Sequence, residues 1–279
     1  MQPVTKHNII DSKPISERIL ELVSASTSKM TPVGLKNTLV QTYGLEKNQI
    51  KTVIKDLIAE GQLIYTYEHG CTFVQKSFNK PVRISRSVVL KPPGSKYRSK
   101  PHDVIIQIKP GASFGDGRHP TTRLAIKGIE FALKQLKPFS LNLASTVLDI
   151  GTGSGVLVIT AVGFGVQTGL GIDIDSCAIA EARENVKIND LQAHIAISDK
   201  AIEDIEPSFS MVLANLRAPT LAKLCARIDS VTNPNGIVVL SGVRCHELAG
   251  LMTVFRAAHF ECVWTAAESD WAGVVIKKG

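Results

Sequence analysis

The run Val147-Leu148-Asp149-Ile150-Gly151-Thr152-Gly153-Ser154-Gly155 constrains the fold of this chain more than any other segment. Apolar residues carrying one acid read as a buried strand. Three glycines at alternate positions follow, and then an apolar run from Val156 to Val162 with helical character. A glycine turn between strand and helix lets the backbone approach a ligand closely. Downstream, Gly171-Ile172-Asp173-Ile174-Asp175 reads as a second apolar strand ending in acids. An acid about 20 residues past such a loop is placed to take ribose hydroxyls. Together these segments describe a nucleoside site at the carboxyl edge of a parallel sheet.

The rest of the C-terminal half extends that sheet. Ala193 to Ser198 and Phe209 to Leu216 read as a third and a fourth strand, the latter nearly all apolar, as a strand buried on both faces requires. A helix is expected from about Pro219 to Ile228. Asn233-Pro234-Asn235-Gly236 is a turn signal before a fifth strand, Ile237 to Val243. A helix from about Cys245 to His259 and two strands, Cys262 to Ala266 and Trp271 to Lys277, complete the pattern. Alternating strands and helices imply right-handed crossovers and an α/β fold.

The glycine spacing is G-x-G-x-G, not the G-x-G-x-x-G of dinucleotide binders, which suits a ligand without pyrophosphate. The loop resembles motif one of the class I S-adenosylmethionine-dependent methyltransferases. That resemblance implies a Rossmann-like, mostly parallel sheet closed by an antiparallel hairpin. It also implies that Asp149 organises the loop and helps hold the methionine amino group, that Gly151, Gly153 and Gly155 line the cofactor, and that Asp173 takes the ribose. A second run, Pro110-Gly111-Ala112-Ser113-Phe114-Gly115-Asp116-Gly117-Arg118-His119-Pro120-Thr121-Thr122, resembles the P-G-x-x-F-G-T-G-x-H-x-T-T segment of the PrmA family, which methylates the eleventh protein of the large ribosomal subunit. Val212-Leu213-Ala214-Asn215-Leu216, Leu240-Ser241-Gly242-Val243 and Ser269-Asp270-Trp271 resemble further elements of that family, so the likeness runs from about Lys109 to the end.

The family likeness implies that Thr122, Gly151, Asp173 and Asn215 contact S-adenosylmethionine. Phe114 and His119 would line the mouth and, with Asn215, position the substrate. Ser198 or Asp199 would meet the adenine amino group. Read from the residues alone, Thr122 also suits a helix N-cap, because a helix is expected from Arg123 to Leu136. His119 equally suits a solvated loop position. Two residues depart from the pattern. Asp116 stands where the family usually has threonine. Arg217 stands where it often has an apolar or aromatic residue, and it either points into the site, favouring an anionic or carbonyl-rich substrate, or lies on the surface.

The N-terminal half reads differently. After a tail (1–12), Ile15, Ile19, Leu22 and Val23 fall at helical spacing. Thr31-Pro32 opens a second helix ending near Gly44. Ile50, Val53, Ile54, Leu57 and Ile58 form the apolar stripe of a third, ended by Gly61. Leu63-Ile64-Tyr65 and Cys71-Thr72-Phe73-Val74, flanking Glu68-His69-Gly70, read as a hairpin. Three helices and a hairpin over 13–77 resemble a winged helix-turn-helix domain. Lys47, Lys51 and Lys55 line the polar side of the third helix, either as a groove-reading face or as a solvated one. Residues 78–109 read as a basic linker carrying Arg83 and Arg86, and residues 110–279 as the methyltransferase domain.

Residues 1–110 hold 17 Lys and Arg against 8 Asp and Glu, and Lys76 to Lys100 holds eight Lys or Arg and no acid. Such an asymmetry is the footprint of RNA, DNA or a ribonucleoprotein surface, although a basic linker also aids solubility. No apolar run approaches the roughly 18 residues of a membrane span, and five scattered cysteines without metal-ligand spacing suggest reduced thiols in a cytoplasmic protein and no metal site. The expected reaction is methyl transfer from S-adenosylmethionine, leaving S-adenosylhomocysteine, to a nitrogen of a protein, with a ribosomal protein implied by the family likeness. The alternatives are an RNA or DNA methyltransferase guided by the basic half, and a cofactor-binding regulator without turnover. The [ND]-P-P-[YFW] element of many base-amino methylases is replaced by Asn215-Leu216-Arg217-Ala218.

Overall fold

The computed structural model describes residues 13–26, 30–68, 71–77, 80–109, 111, 113–115, 117–136, 145–206 and 209–279. The chain divides into two compact units, Met1–Ser77 and Phe78–Gly279. The expected tail (1–12), the hairpin turn at His69-Gly70 and the departure at Asp116 fall outside the described residues.

The first unit holds helices α1 (Ile15–Ala25), α2 (Pro32–Tyr43) and α3 (Lys47–Ala59), then an antiparallel hairpin of β1 (Leu63–Glu68) and β2 (Cys71–Lys76). Thr31 Oγ1 accepts the Gly34 N–H at 3.0 Å to open α2. Gly44, with φ of 65°, ends it in the left-handed conformation that glycine tolerates best. The stripe on α3 is buried at Ile50, Ile54 and Leu57 against Ile19, Leu35, Leu39, Leu63 and Val74. Lys47, Lys51 and Lys55 stand exposed on its other side.

The second unit begins earlier than the methyltransferase domain expected from the motifs. Within the expected linker (78–109), the described residues 80–109 are not a free linker. They carry β3 (Val82–Arg83), β4 (Val88–Lys91) and β5 (Val104–Gln107), with β4 antiparallel to β3 and parallel to β5. Val82, Ile84, Val88, Leu90, Ile106 and Ile108 are buried in one core with Val156 to Val162. Lysines and prolines of the intervening turn hide these short apolar runs. Arg83, expected to meet a partner, is instead committed internally. Its Nη2 reaches the Asp103 carboxylate at 2.8 and 3.0 Å and the Tyr97 hydroxyl at 2.7 Å. The Lys100 backbone N–H holds the Asp103 carboxyl at about 2, with desolvation opposing and Arg83 and Tyr97 assisting. Arg86 is exposed.

Beyond this small sheet lie α4 (Pro120–Gln135), β6 (Thr146–Ile150), α5 (Val156–Gly163), β7 (Thr168–Ile172), α6 (Ser176–Ile188), β8 (Ile195–Ser198), β9 (Phe209–Asn215), α7 (Ala218–Val231), β10 (Thr232–Arg244), α8 (Leu248–Ala257), β11 (Phe260–Glu268) and β12 (Trp271–Lys278). The large sheet runs β11-β12-β10-β9-β6-β7-β8. β8, β7, β6, β9 and β10 are parallel, and β12 is antiparallel to both β10 and β11. Successive residues face opposite sides. Val147, Met211, Leu213 and Val239 join one core with α4, α5 and α6, and Leu148, Val212, Ala214 and Val238 join another with α7 and α8. Strand order reverses between β6 and β9, the switch point at whose carboxyl edge α/β sheets bind ligands.

Two local expectations change. Asn233 to Gly236 does not precede the fifth strand but lies within β10. There the register against β9 slips between Thr232 and Ile237 and Asn235 takes a φ of 61°, so the turn residues build a bulge. Cys245 to Glu247 forms a 3₁₀ turn before α8, with Glu247 Oε2 accepting the Arg244 N–H at 2.9 Å.

Because Leu90 is only 3% exposed in a core shared with α5, Leu90→Ala is expected to destabilise the protein by about 2–5 kcal/mol in urea denaturation. A loss under about 0.5 kcal/mol, typical of surface positions, would restore the linker reading.

Candidate active site

The turn from β6 into α5 is built where no side chain fits. Gly151, Gly153 and Gly155 have φ of 69°, 54° and 81°. A Cβ on Gly153 would lie 2.5 Å from the Phe114 carbonyl oxygen. That approach is used: Ser154 N–H donates to Phe114 O at 2.9 Å. The N–H groups of Gly151 and Thr152 both donate to Ile172 O at 2.9 Å, seating the loop against the end of β7. Helix α6 grips both crossing segments. Asn185 Nδ2 donates to Ser154 O at 2.9 Å, its Oδ1 accepts the Lys109 N–H at 3.0 Å, and Glu181 Oε2 accepts the Ser113 N–H at 3.0 Å.

Asp149 is fully buried beneath the loop. Its Oδ2 accepts the Thr152 hydroxyl at 2.7 Å and the Val158 N–H at 3.2 Å. Desolvation pushes its carboxyl up to about 7; those two hydrogen bonds oppose the shift and the charge of Asp173 adds to it. Among the described residues its other oxygen, Oδ1, has no hydrogen-bond partner, and neither do the buried hydroxyls of Ser113, Thr122 and Ser154. Buried polar atoms are normally paired, so these four atoms call for a partner, a water or a polar ligand, that the described residues do not supply. Asp173, at the end of β7, accepts Gly153 N–H on Oδ2 at 2.9 Å and Asp175 N–H on Oδ1 at 3.0 Å. Each oxygen keeps a lone pair for a ligand hydroxyl.

The helix expected after the Thr121-Thr122 pair is α4, but its cap is His119. The His119 side chain accepts the Thr121 N–H at 3.3 Å through Nδ1, which also meets Thr121 Oγ1 at 2.8 Å. Thr122 is not the cap; it lies inside the first turn, buried. Burial, then the charges of Arg123 and Arg244, lower the His119 pKa and favour a neutral ring with its proton on Nε2. Phe114 is 52% exposed, with its ring 5.1 Å from that of His119, and His119 lies 5.0 Å from Trp271. Arg244 Cζ sits 3.8 Å over the Trp271 ring. Arg123 Nε binds Glu268 at 2.7 Å and its Nη1 binds Gly117 O at 3.0 Å, so the end of this loop is clamped to β11. The hydrogen bonds of Lys127 and the charge of Arg123 outweigh desolvation and keep the Glu268 carboxyl low.

Asn215 ends β9, paired with Ser241. The next backbone is closely packed. Leu216 N–H donates to Ser241 O at 3.1 Å, and a Cβ on Gly242, whose φ is 84°, would lie 2.4 Å from Leu216 O. Ser198 ends β8. Its carbonyl accepts the Asp173 N–H at 3.2 Å, while its hydroxyl accepts the Lys200 N–H at 3.2 Å; Asp199 is exposed. The second unit therefore brings Phe114, His119, Thr122, the three glycines, Asp149, Asp173, Ser198, Asp199 and Asn215 to the carboxyl edge of one sheet. Lys47, Lys51 and Lys55 belong to the other unit.

Sequence reading passed over three residues of this edge. Trp271 was legible as a motif element but not as the platform beside His119. Arg244 lies next to a matched strand motif yet carried no signal of its own. Ile174, 93% exposed beside Asp173, is an apolar side chain left bare at this edge; its place directly after the acid that ends the second strand motif was the signal available.

The Asp149 carboxyl ionises near 4 when unfolded and near 7 when folded. Between those values the folded state binds the extra proton, so this group costs stability as pH rises through the window. Asp149→Asn is expected to match the parent near pH 4 and to exceed it by about 4 kcal/mol at pH 8 in ligand-free urea denaturation. A stability difference that does not change with pH would contradict the raised pKa.

Comparison with known proteins gives this edge a family. Residues 39–279 match the family model described as Ribosomal protein L11 methyltransferase (PrmA), a longer stretch than the motifs alone mark. A ribosomal protein L11 methyltransferase of Geobacter metallireducens is 36% identical over 199 residues, which cover 71% of this chain and 63% of that protein. One of Brevibacillus brevis is 29% identical over 248 residues, covering 88% and 74%. The crystal structure of ribosomal protein L11 methylase from Lactobacillus delbrueckii subsp. bulgaricus superposes with a TM-score of 0.63 at 30% identity, covering 72% of this chain and 100% of that one. The chain aligns with just under two thirds of the length of the Geobacter metallireducens protein and of a second relative from Geotalea uraniireducens, 63% and 64% respectively. With most of its length matched and its glycine loop, β9 end and β12 start meeting at one edge, the chain belongs to the ribosomal protein L11 methyltransferase (PrmA) family.

Proposed function

We propose that this chain binds S-adenosylmethionine and transfers its methyl group to a nitrogen of ribosomal protein L11. The observation that carries this reading is the glycine loop bracketed by two acids, with an orphaned Asp149 oxygen below it and Asp173 beside it. Asp149 Oδ1 would take the methionine ammonium, and Asp173 the ribose hydroxyls. Thr122 Oγ1, Gly151, Gly153, Gly155 and Asn215 would contact the cofactor along the loop, with Ser198 or Asp199 at the adenine amino group and Ile174 against its face. These residues fit the group, because the acceptors left over, Asp149 Oδ1 and the remaining lone pairs of Asp173, are those that an ammonium and ribose hydroxyls need.

When bound, the sulfonium supplies an electrophilic methyl. The chain then has to hold a neutral amine in line with it, and positioning of this kind carries much of the rate. Phe114, His119 and Trp271 form an aromatic mouth suited to an alkyl stem. The Asn215 side-chain carbonyl orients the amine. His119 is a poor base, since Nδ1 is already engaged by Thr121 and Nε2 carries the proton, so the released proton goes to water.

A second contact is supported by a separate observation. The exposed Lys47, Lys51 and Lys55 oppose the buried face of α3, in a unit whose three helices and hairpin follow winged-helix order. That face would meet nucleic acid of a ribonucleoprotein. Changing all three lysines to Gln is expected to lower affinity for ribosomal RNA and to shrink its salt dependence by about three phosphate contacts; an unchanged salt slope would show that the face is merely solvated.

Asp173→Ala is expected to weaken S-adenosylmethionine binding by about 1.5–3 kcal/mol, the worth of hydrogen bonds to a charged group, measured by calorimetry. Unaltered affinity would remove Asp173 from the site. For the reaction, the protein is incubated with radiolabelled S-adenosylmethionine, ribosomal protein L11 and ribosomal RNA. Protease-sensitive label on the ribosomal protein is expected. Label lost only to nuclease would reassign the acceptor to RNA, and cofactor binding without label would leave a cofactor-binding regulator.

A further inference from the structure

The charges around Trp271 leave one residue unmatched. Arg123 and Lys127 share Glu268, and Arg244 Nη1 stands 3.4 Å from Asp270 Oδ2. Arg217 is exposed, and among the described residues it forms no ion pair. Its guanidinium Cζ lies 6.0 Å from the Trp271 ring centroid, across the ring's surroundings from no carboxylate of its own.

Stability does not account for an arginine at this position. Arg217 is the N-cap of α7 and makes no side-chain capping bond. Ser, Thr, Asp or Asn there would satisfy an open N–H, and a cation is disfavoured by the positive end of the helix dipole. The backbone that carries Arg217 is fixed beside the mouth. Leu216, just before it, is pinned by its N–H to Ser241 O, by its side chain over Gly151, where a Cβ would come within 2.9 Å, and by its carbonyl over Gly242. An anion arriving here would meet an unmatched guanidinium and a helix N-terminus together, and each stabilises negative charge.

We propose that Arg217 determines acceptor specificity by pairing with a carboxylate that the acceptor protein carries beside the methylated amine. This inference rests on the reading of the chain as a protein methyltransferase given above. A single carboxylate on a protein fits better than a run of phosphates, because Arg123, Lys127 and Arg244 are already engaged by Glu268 and Asp270, which leaves one cation for one anion. The exposed Phe114 ring beside His119 and Trp271 suits the alkyl stem of a lysine next to that carboxylate.

The test uses two lysine peptides taken from the labelled region of ribosomal protein L11, identical except for Glu or Gln beside the acceptor. The unaltered protein is expected to favour the Glu peptide about tenfold in kcat/KM, chiefly through KM, as one charge-assisted pair provides. Arg217→Leu should abolish that preference, Arg217→Lys should keep part of it, and Arg217→Glu should favour the Gln peptide. Calorimetric binding of S-adenosylmethionine shows whether each variant is folded, and equal rates on the peptide pair with the unaltered protein refute the inference without any variant. Equal rates on the two peptides, or a Glu preference that survives Arg217→Leu, would overturn the inference while leaving methylation of the ribosomal protein standing. Absence of label on ribosomal protein L11 with cofactor binding intact, or label on RNA, would overturn both.

Discussion

A single backbone hydrogen bond, from Ser154 N–H to the Phe114 carbonyl, joins the two loops on which the site depends. It forms only because Gly153 has no side chain, since a Cβ there would overlap that same oxygen. Around it α6 serves as a brace. Asn185 holds Ser154 from one side and Lys109 from the other, and Glu181 holds Ser113. Asn189 extends the brace to β5, exchanging hydrogen bonds with both backbone groups of Gln107. The floor of the site and the segment over it are therefore positioned by one helix, and the small sheet before them is part of the same support.

Charge is distributed in two zones. Beneath and beside the glycine loop stand Asp149 and Asp173, with one acid oxygen left without a partner. At the mouth stand Arg123, Lys127, Arg217 and Arg244, mostly matched by Glu268 and Asp270. The Arg123 side chain ties Gly117 and Arg118 to Glu268 on β11, so residues far apart in sequence set where the loop ends. The aromatic group of Phe114, His119 and Trp271 lies between these zones and gives an alkyl chain a path past them.

The elements legible in the sequence were those whose pattern is local. The glycine loop, the acid-ended strand β7 and the apolar β9 announce themselves by composition, and the α3 stripe and the Thr31-Pro32 start of α2 do so by spacing. What was not legible was decided elsewhere in the chain. β3, β4 and β5 are too short and too crowded by lysine to read as strands, and they exist because α5 offers them a core. The Asn-Pro-Asn-Gly signal is a turn in isolation, but pairing with β9 and β12 draws it into β10 as a bulge. His119 caps α4 in place of the threonine pair because its ring is held between Phe114 and Trp271, a contact that no local pattern encodes. The motifs marked residues that the fold brings to one sheet edge, whereas the Trp271 platform needed the strand order that brings β12 next to β10.

The buried Asp149 would also make the proposed cofactor site a proton exchanger. With its carboxyl near 7, the ligand-free protein carries a proton there through the mildly acid range. A cation seated on Oδ1 favours the ionised form, so occupation from that range expels the proton. By linkage, affinity for such a cation rises by up to about tenfold per pH unit below 7 and levels off above it. With the ammonium placed on Asp149 as proposed, the acid that shapes the loop would couple the filling of the site to the acidity of its surroundings, with no histidine taking part.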